Sequence, residues 1–84
     1  GIVEKYYPKA KVVQVKIEAS MQGKKDEDYI IIGKDAGVVK GKLESFQLND
    51  LDAQEFKQGD IITFKLDTKV NKGDKFYLWR KRID

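Results

Sequence analysis

The residues of this chain best suited to chemistry are cations and aromatics, and the chemistry they suit is binding. Lys16, Lys40, Lys42 and Lys65 occupy the polar positions of strand-like runs. On neighbouring strands they would form a basic face able to contact phosphates, with salt-dependent affinity. Glu18, Glu44 and Asp67 lie close in sequence and offer the simpler reading of a solvated, charge-paired exterior. Tyr77, Trp79, Arg80, Lys81 and Arg82 interleave rings with cations. Stacking of a base on such a ring is worth about 1–3 kcal/mol. The same residues also suit contact with a neighbouring domain, or closure of the end of the fold. The candidate binding set is therefore Lys16, Lys40, Lys42, Lys65, Tyr77, Trp79, Arg80 and Arg82.

The carboxylates point to turns. Asp26, Glu27 and Asp28 are contiguous and lack the alternating spacing of a calcium loop, so no metal is expected. Asp60 and Asp74 each follow a glycine, in Lys57-Gln58-Gly59-Asp60 and Asn71-Lys72-Gly73-Asp74. Glycine reaches the positive φ of a tight turn, and aspartate accepts hydrogen bonds from nearby backbone N–H groups. Both carboxylates are expected to be used this way.

Absences narrow the function. The chain has no Cys and no His. That removes thiol nucleophiles, disulfides, the usual neutral-pH base and the commonest zinc ligands. Ser20, Ser45, Thr63, Thr68 and the tyrosines are the remaining hydroxyls. No catalysis by this chain alone is expected, and no cofactor. A net charge of +3 over 84 residues permits nucleic acid without demanding it. No apolar run suits a membrane span or a signal peptide, so a cytoplasmic, membrane-free protein is expected. The chain opens on Gly1 rather than Met, which reads as a cloning remnant or as the cut edge of a domain excised from a longer protein.

The elements that must position these groups are strands. Val13, Val15 and Ile17 alternate with Gln14, Lys16 and Glu18. Ile62, Phe64 and Leu66 alternate with Thr63, Lys65 and Asp67, and Phe76 and Leu78 with Tyr77 and Trp79. Parity turns Trp79 away from the core. Ile2 to Tyr7 is a further strand closed by Pro8, with one of the two tyrosine rings in the core, and Tyr29 to Ile32 ends at Gly33. Val38 to Leu48 changes phase around Ser45, which predicts one long strand with a β-bulge. Leu51 to Phe56 reads as a short strand or extended connection, and Ser20 to Asp28 as a polar loop. Six or seven short strands without a helical period predict one all-β domain over residues 1–84, a small closed Greek-key barrel.

Four stretches carry a resemblance: Tyr29-Ile30-Ile31-Ile32-Gly33, Gly41 to Gln47, Glu55 to Asp60, and Val70 to Tyr77. In this order they resemble the second domain of elongation factor Tu and other translational GTPases. The opening, from Val3 to Ile17 with Tyr6-Tyr7-Pro8, resembles the start of the C-terminal barrel of the collagenase-type peptidases (peptidase class U, family thirty-two) and of short archaeal translation-factor-like proteins. One departure stands out. Where the family carries a further Gly-Asp turn before the Tyr29 strand, this chain has Gly23-Lys24-Lys25-Asp26-Glu27-Asp28. No phosphate-binding Gly-x-x-x-x-Gly-Lys-Ser/Thr loop is present. The resemblance implies a C-terminal accessory domain that positions a macromolecular substrate, protein or RNA, for a catalytic domain of the same parent chain. The alternative is a free-standing, translation-related barrel binding RNA or a ribosomal partner. Either would be a monomer as an isolated domain.

Overall fold

Alternating apolar residues along nearly the whole chain leave it only strands to form. The computed structural model describes residues 1–18 and 21–79. Within them run β1 (Ile2–Tyr7), β2 (Val12–Lys16), β3 (Gly23–Lys24), β4 (Asp28–Gly33), β5 (Gly37–Lys42), β6 (Phe46–Leu48), β7 (Leu51–Ala53), β8 (Glu55–Phe56), β9 (Ile61–Lys65) and β10 (Lys75–Trp79). No helix occurs among the described residues, so none is long and apolar enough to cross a membrane.

Eight strands form one antiparallel sheet in the order β5-β4-β10-β1-β2-β9-β6-β7, and β3 pairs with β8 in a separate ribbon. The large sheet ends at β5 and β7, which do not pair with each other. The ribbon lies between these two ends in the backbone bonding. Leu43, just after β5, exchanges hydrogen bonds with Asp26 and Glu27, and Lys25 N–H donates to the carbonyl of Gln54, between β7 and β8.

The expected single bulged strand from Val38 to Leu48 is instead two strands at opposite ends of the sheet. β5 pairs with β4, whereas β6 pairs with β7 and β9. The physical reason lies in Leu43 and Phe46, both buried at odd spacing. A continuous strand would put them on opposite faces. The chain leaves the ladder between them, so both point inward from different places. A register irregularity does occur, in β1 between Val3 and Lys5. The polar loop expected from Ser20 to Asp28 contains β3, which is too short to read from sequence.

Inward parity otherwise follows the sequence. Val13, Val15, Ile62, Phe64 and Phe76 are buried from β2, β9 and β10. Phe76 is the hub of the core, with ring centroids 5.8 Å from Tyr29, 6.0 Å from Phe64 and 6.5 Å from Phe56. Tyr6 packs on this core and donates its hydroxyl to the Leu66 carbonyl at 2.8 Å, while Tyr7 is turned outward. Gly41 is needed where it stands: a Cβ there would lie 2.6 Å from the hydroxyl of Tyr29 and 2.7 Å from its ring.

The Gly-Asp turns do what the sequence suggests, and more. Asp60 accepts the N–H of Lys57, and Asp74 that of Asn71, each at 2.9 Å. Gly59 and Gly73 stand at φ 92° and 95°. Each turn also grips a buried residue from elsewhere in the chain. Gly59 N–H donates to the Ile17 carbonyl, and Ile17 N–H to that of Asp60. Gly73 and Asp74 hold Val3 in the same way. The departure from the family pattern, Lys24-Lys25-Asp26-Glu27, proves to be a third copy. Asp26 takes the glycine's place at φ 73°, Glu27 accepts the Lys24 N–H at 2.8 Å, and both residues exchange backbone bonds with buried Leu43.

Asp26→Gly should therefore raise stability by up to about 1 kcal/mol, because a side chain at positive φ is strained. Asp74→Ala should cost about 1–3 kcal/mol, since its carboxylate is buried and satisfies a backbone donor. Asp60→Ala, at a more exposed turn, should cost less. Urea midpoints of the three variants check all of this.

Candidate functional site

β5, β4 and β10 lie side by side, and their outward residues form one face. Cross-strand partners fix its rows. Val38 stands opposite Ile32, and Ile32 opposite Lys75. Lys40, Ile30 and Tyr77 make the next row, followed by Lys42, Asp28 and Trp79. Val38 is 60% exposed, Ile32 47%, Tyr77 47% and Trp79 46%. Large apolar side chains seldom stand this open together on a sheet without a partner.

The Lys40 ammonium sits 4.1 Å from the centre of the Trp79 ring. Diagonal neighbours across a sheet are within reach of long and aromatic side chains, which is how a residue of β5 crosses β4 to meet one of β10. The attraction fixes both side chains at the rim of a hollow whose other walls are Asp28, Tyr29 and Gly41. Tyr29 is buried against Phe64 and Phe76. It lines this hollow, with its hydroxyl against Gly41. Burial raises its pKa above the ordinary 10.0, because the phenolate would lose its hydration.

The structure gathers part of the expected set. Lys40, Lys42, Tyr77 and Trp79 share this face. Lys16 lies on β2, four strands from β5 in the sheet. Lys65 is opposite Val12, at the far end of the β2–β9 ladder from Lys16. Neither joins the Lys40 cluster. Arg80 and Arg82, with Lys81, fall outside the described residues. Sequence reasoning missed Ile32 and Val38 as exposed apolar residues, and Asp28, Tyr29 and Gly41 as walls. One signal was readable: apolar residues at consecutive positions, Val38-Val39 and Ile30 to Ile32, must put some of their side chains outside a two-faced strand.

A second hollow is lined by Lys24, Glu27, Glu55, Phe56, Lys57 and Asp60, among others. Its polar walls mix both charges and include turn carboxylates already engaged by backbone N–H groups. Among the described residues, no group of three or more His, Cys, Asp or Glu is placed to hold a metal.

No protein-family profile matches the chain. An uncharacterized protease of Methanocaldococcus jannaschii is 31% identical over 83 residues, which is 99% of this chain and 20% of that protein. The fold is that of the C-terminal domain of a Geobacillus thermoleovorans protein assigned to the U32 peptidases: TM-score 0.84, 13% identity, 95% of this chain and 90% of the other. The chain spans a fifth of the length of the curated relative it matches.

Tyr29 gives the domain a pH signature. The phenol is favoured in the folded state, so the unfolded chain deprotonates first. Stability should be full below about pH 10 and fall as pH rises through the raised folded pKa. Urea midpoints from neutral to alkaline pH should show this slope, and Tyr29→Phe should flatten it. Lys40→Met should alter Trp79 fluorescence while costing no more than about 1 kcal/mol, as the pair is exposed.

Proposed function

We propose that this chain is the accessory domain of a U32-type peptidase, without catalysis of its own. In this reading it positions a macromolecular substrate for a separate catalytic domain of the same parent. The carrying observation is the grouping of Lys40, Lys42, Tyr77 and Trp79 with exposed Ile32 and Val38 on one sheet face. Such a face combines cations for orientation with rings that anchor contact at low entropic cost. The chain's match to a fifth of a longer protease supports a module within a larger enzyme. The absence of His and Cys from its sequence supports leaving the chemistry to that larger part. Lys16 and Lys65 enter this reading as outlying cations that guide approach, and Arg80 and Arg82 add positive charge to the chain. The whole is read as a small barrel closed by the β3–β8 ribbon only beyond the end of β5, at Leu43 and Gln54, so that Gly37–Lys42 keeps an open edge.

A second reading draws on the Lys40–Trp79 pair, which is also an arrangement that stacks and neutralises a single-stranded nucleotide. On this reading the domain binds RNA or a ribosomal partner.

The parent enzyme tests the first reading. Trp79→Ala should lower kcat/KM on a protein substrate about tenfold, equivalent to about 1.4 kcal/mol of lost transition-state binding. The isolated domain should keep its fold, because Trp79 is exposed. Unchanged turnover counts against the accessory role. Turnover lost only on an RNA substrate selects the second reading.

A further inference from the structure

β5 is hydrogen-bonded to β4 along its length and is the end strand of the large sheet. It has six residues, whereas β7 at the opposite end has three. An end strand presents alternate N–H and C=O groups with no strand to receive them, and this pattern is a template for another polypeptide backbone. Resting on the accessory-domain reading above, we infer that β5 binds an extended acidic peptide as an added strand, and that this is how the domain holds its substrate.

Charge sets the partner's sign. Lys40 and Lys42 project from β5, Lys34 follows in the β4–β5 turn, and Lys75 stands two strands in. Asp28, opposite Lys42, is the one carboxylate in the three rows of this face, and Asp35, beside Lys34 in the turn, is engaged by the Asn71 side-chain amide. A second copy of this chain fits poorly. Antiparallel pairing of two β5 strands would bring lysines against lysines, and like charges across a ladder are destabilising. The same lysines that guard the edge against self-association select a strand of opposite charge.

The side chains around the edge favour a peptide. Val38, exposed beside Ile32, offers apolar contact for an alternate residue of an incoming strand. Gly41, between Lys40 and Lys42, lets the Tyr29 hydroxyl come up against the edge strand. Behind it lies the hollow walled by Tyr29 and Trp79. An incoming side chain can enter there beside Tyr29. A nucleic acid could use the Lys40–Trp79 pair but has no backbone amides to match the open edge.

The test is an NMR titration of this chain with a short peptide alternating Glu and Val. Three comparison probes are a Lys-for-Glu version, a version N-methylated at alternate amides, and a short single-stranded RNA. Binding of the Glu peptide should slow amide exchange across Val38–Lys42. N-methylation should weaken it at least about tenfold, because the added strand loses its backbone bonds. The Lys peptide should not bind. Lys40→Glu with Lys42→Glu should weaken the Glu peptide about tenfold or more, while Lys9→Glu, in the turn between β1 and β2, should leave it within about twofold. Equal binding of the N-methylated peptide overturns strand addition. Binding of RNA alone, or no slowing of exchange in β5, overturns the peptide. Those results leave the accessory role standing, since that role is read from turnover of the parent enzyme rather than from this edge.

Discussion

The fold depends on one device used three times: a four-residue turn whose last carboxylate caps its own first N–H and whose last two residues clamp a buried residue from elsewhere. Gly59 and Asp60 clamp Ile17, Gly73 and Asp74 clamp Val3, and Asp26 and Glu27 clamp Leu43. Each clamp satisfies backbone groups where a strand begins or ends, places at which a ladder cannot. Each also delivers an apolar side chain to the core at a fixed depth. Val3, Ile17 and Leu43 are essentially sealed from solvent. A domain this small has little apolar area to spare, so accurate placement of a few side chains carries unusual weight.

The clamps have consequences on the outer surface. The Gly73-Asp74 turn feeds directly into β10, and Asp74 packs against Gly33 at the end of β4. The Asp26-Glu27 turn feeds into β4. Two of the three devices therefore set the register of the strands beneath Ile32, Tyr77 and Trp79. A one-residue slip in β10 would send Trp79 inward and Phe76 out. The rigidity of the candidate face thus comes from turn chemistry on its flank, while its own residues remain free to bind.

Much of the architecture was legible because strand parity is a local property. Val13-Val15, Ile62-Phe64 and Phe76-Leu78 each declare an inner face without reference to any partner. The two Gly-Asp pairs declared their turns for the same reason: φ and an Asx-type hydrogen bond are decided within four residues. The third turn was illegible as such, since Asp26 is a residue type that only sometimes adopts positive φ. The division between β5 and β6 was also hidden. Ser45 looked like a bulge because sequence shows a change of phase and cannot show that the chain crosses to the other end of the sheet. The candidate site was half legible. Tyr77 and Trp79 could be called exposed from parity, but which lysines share their strand neighbourhood depends on strand order.

The sequence by itself determined the all-β character, the absence of thiol and imidazole chemistry, the two glycine turns and the inner face of each main strand. These follow from side-chain type and period, which act over a few residues. Only the tertiary structure decided that β10 lies between β4 and β1, that Lys40 reaches Trp79, that Lys16 and Lys65 stand apart, and that β5 is left as an open edge. Those facts rest on pairings between residues as many as seventy-three apart, as between Ile2 and Lys75. Such pairings are fixed by the summed burial of a shared core around Phe76, and no local stretch of sequence records that sum.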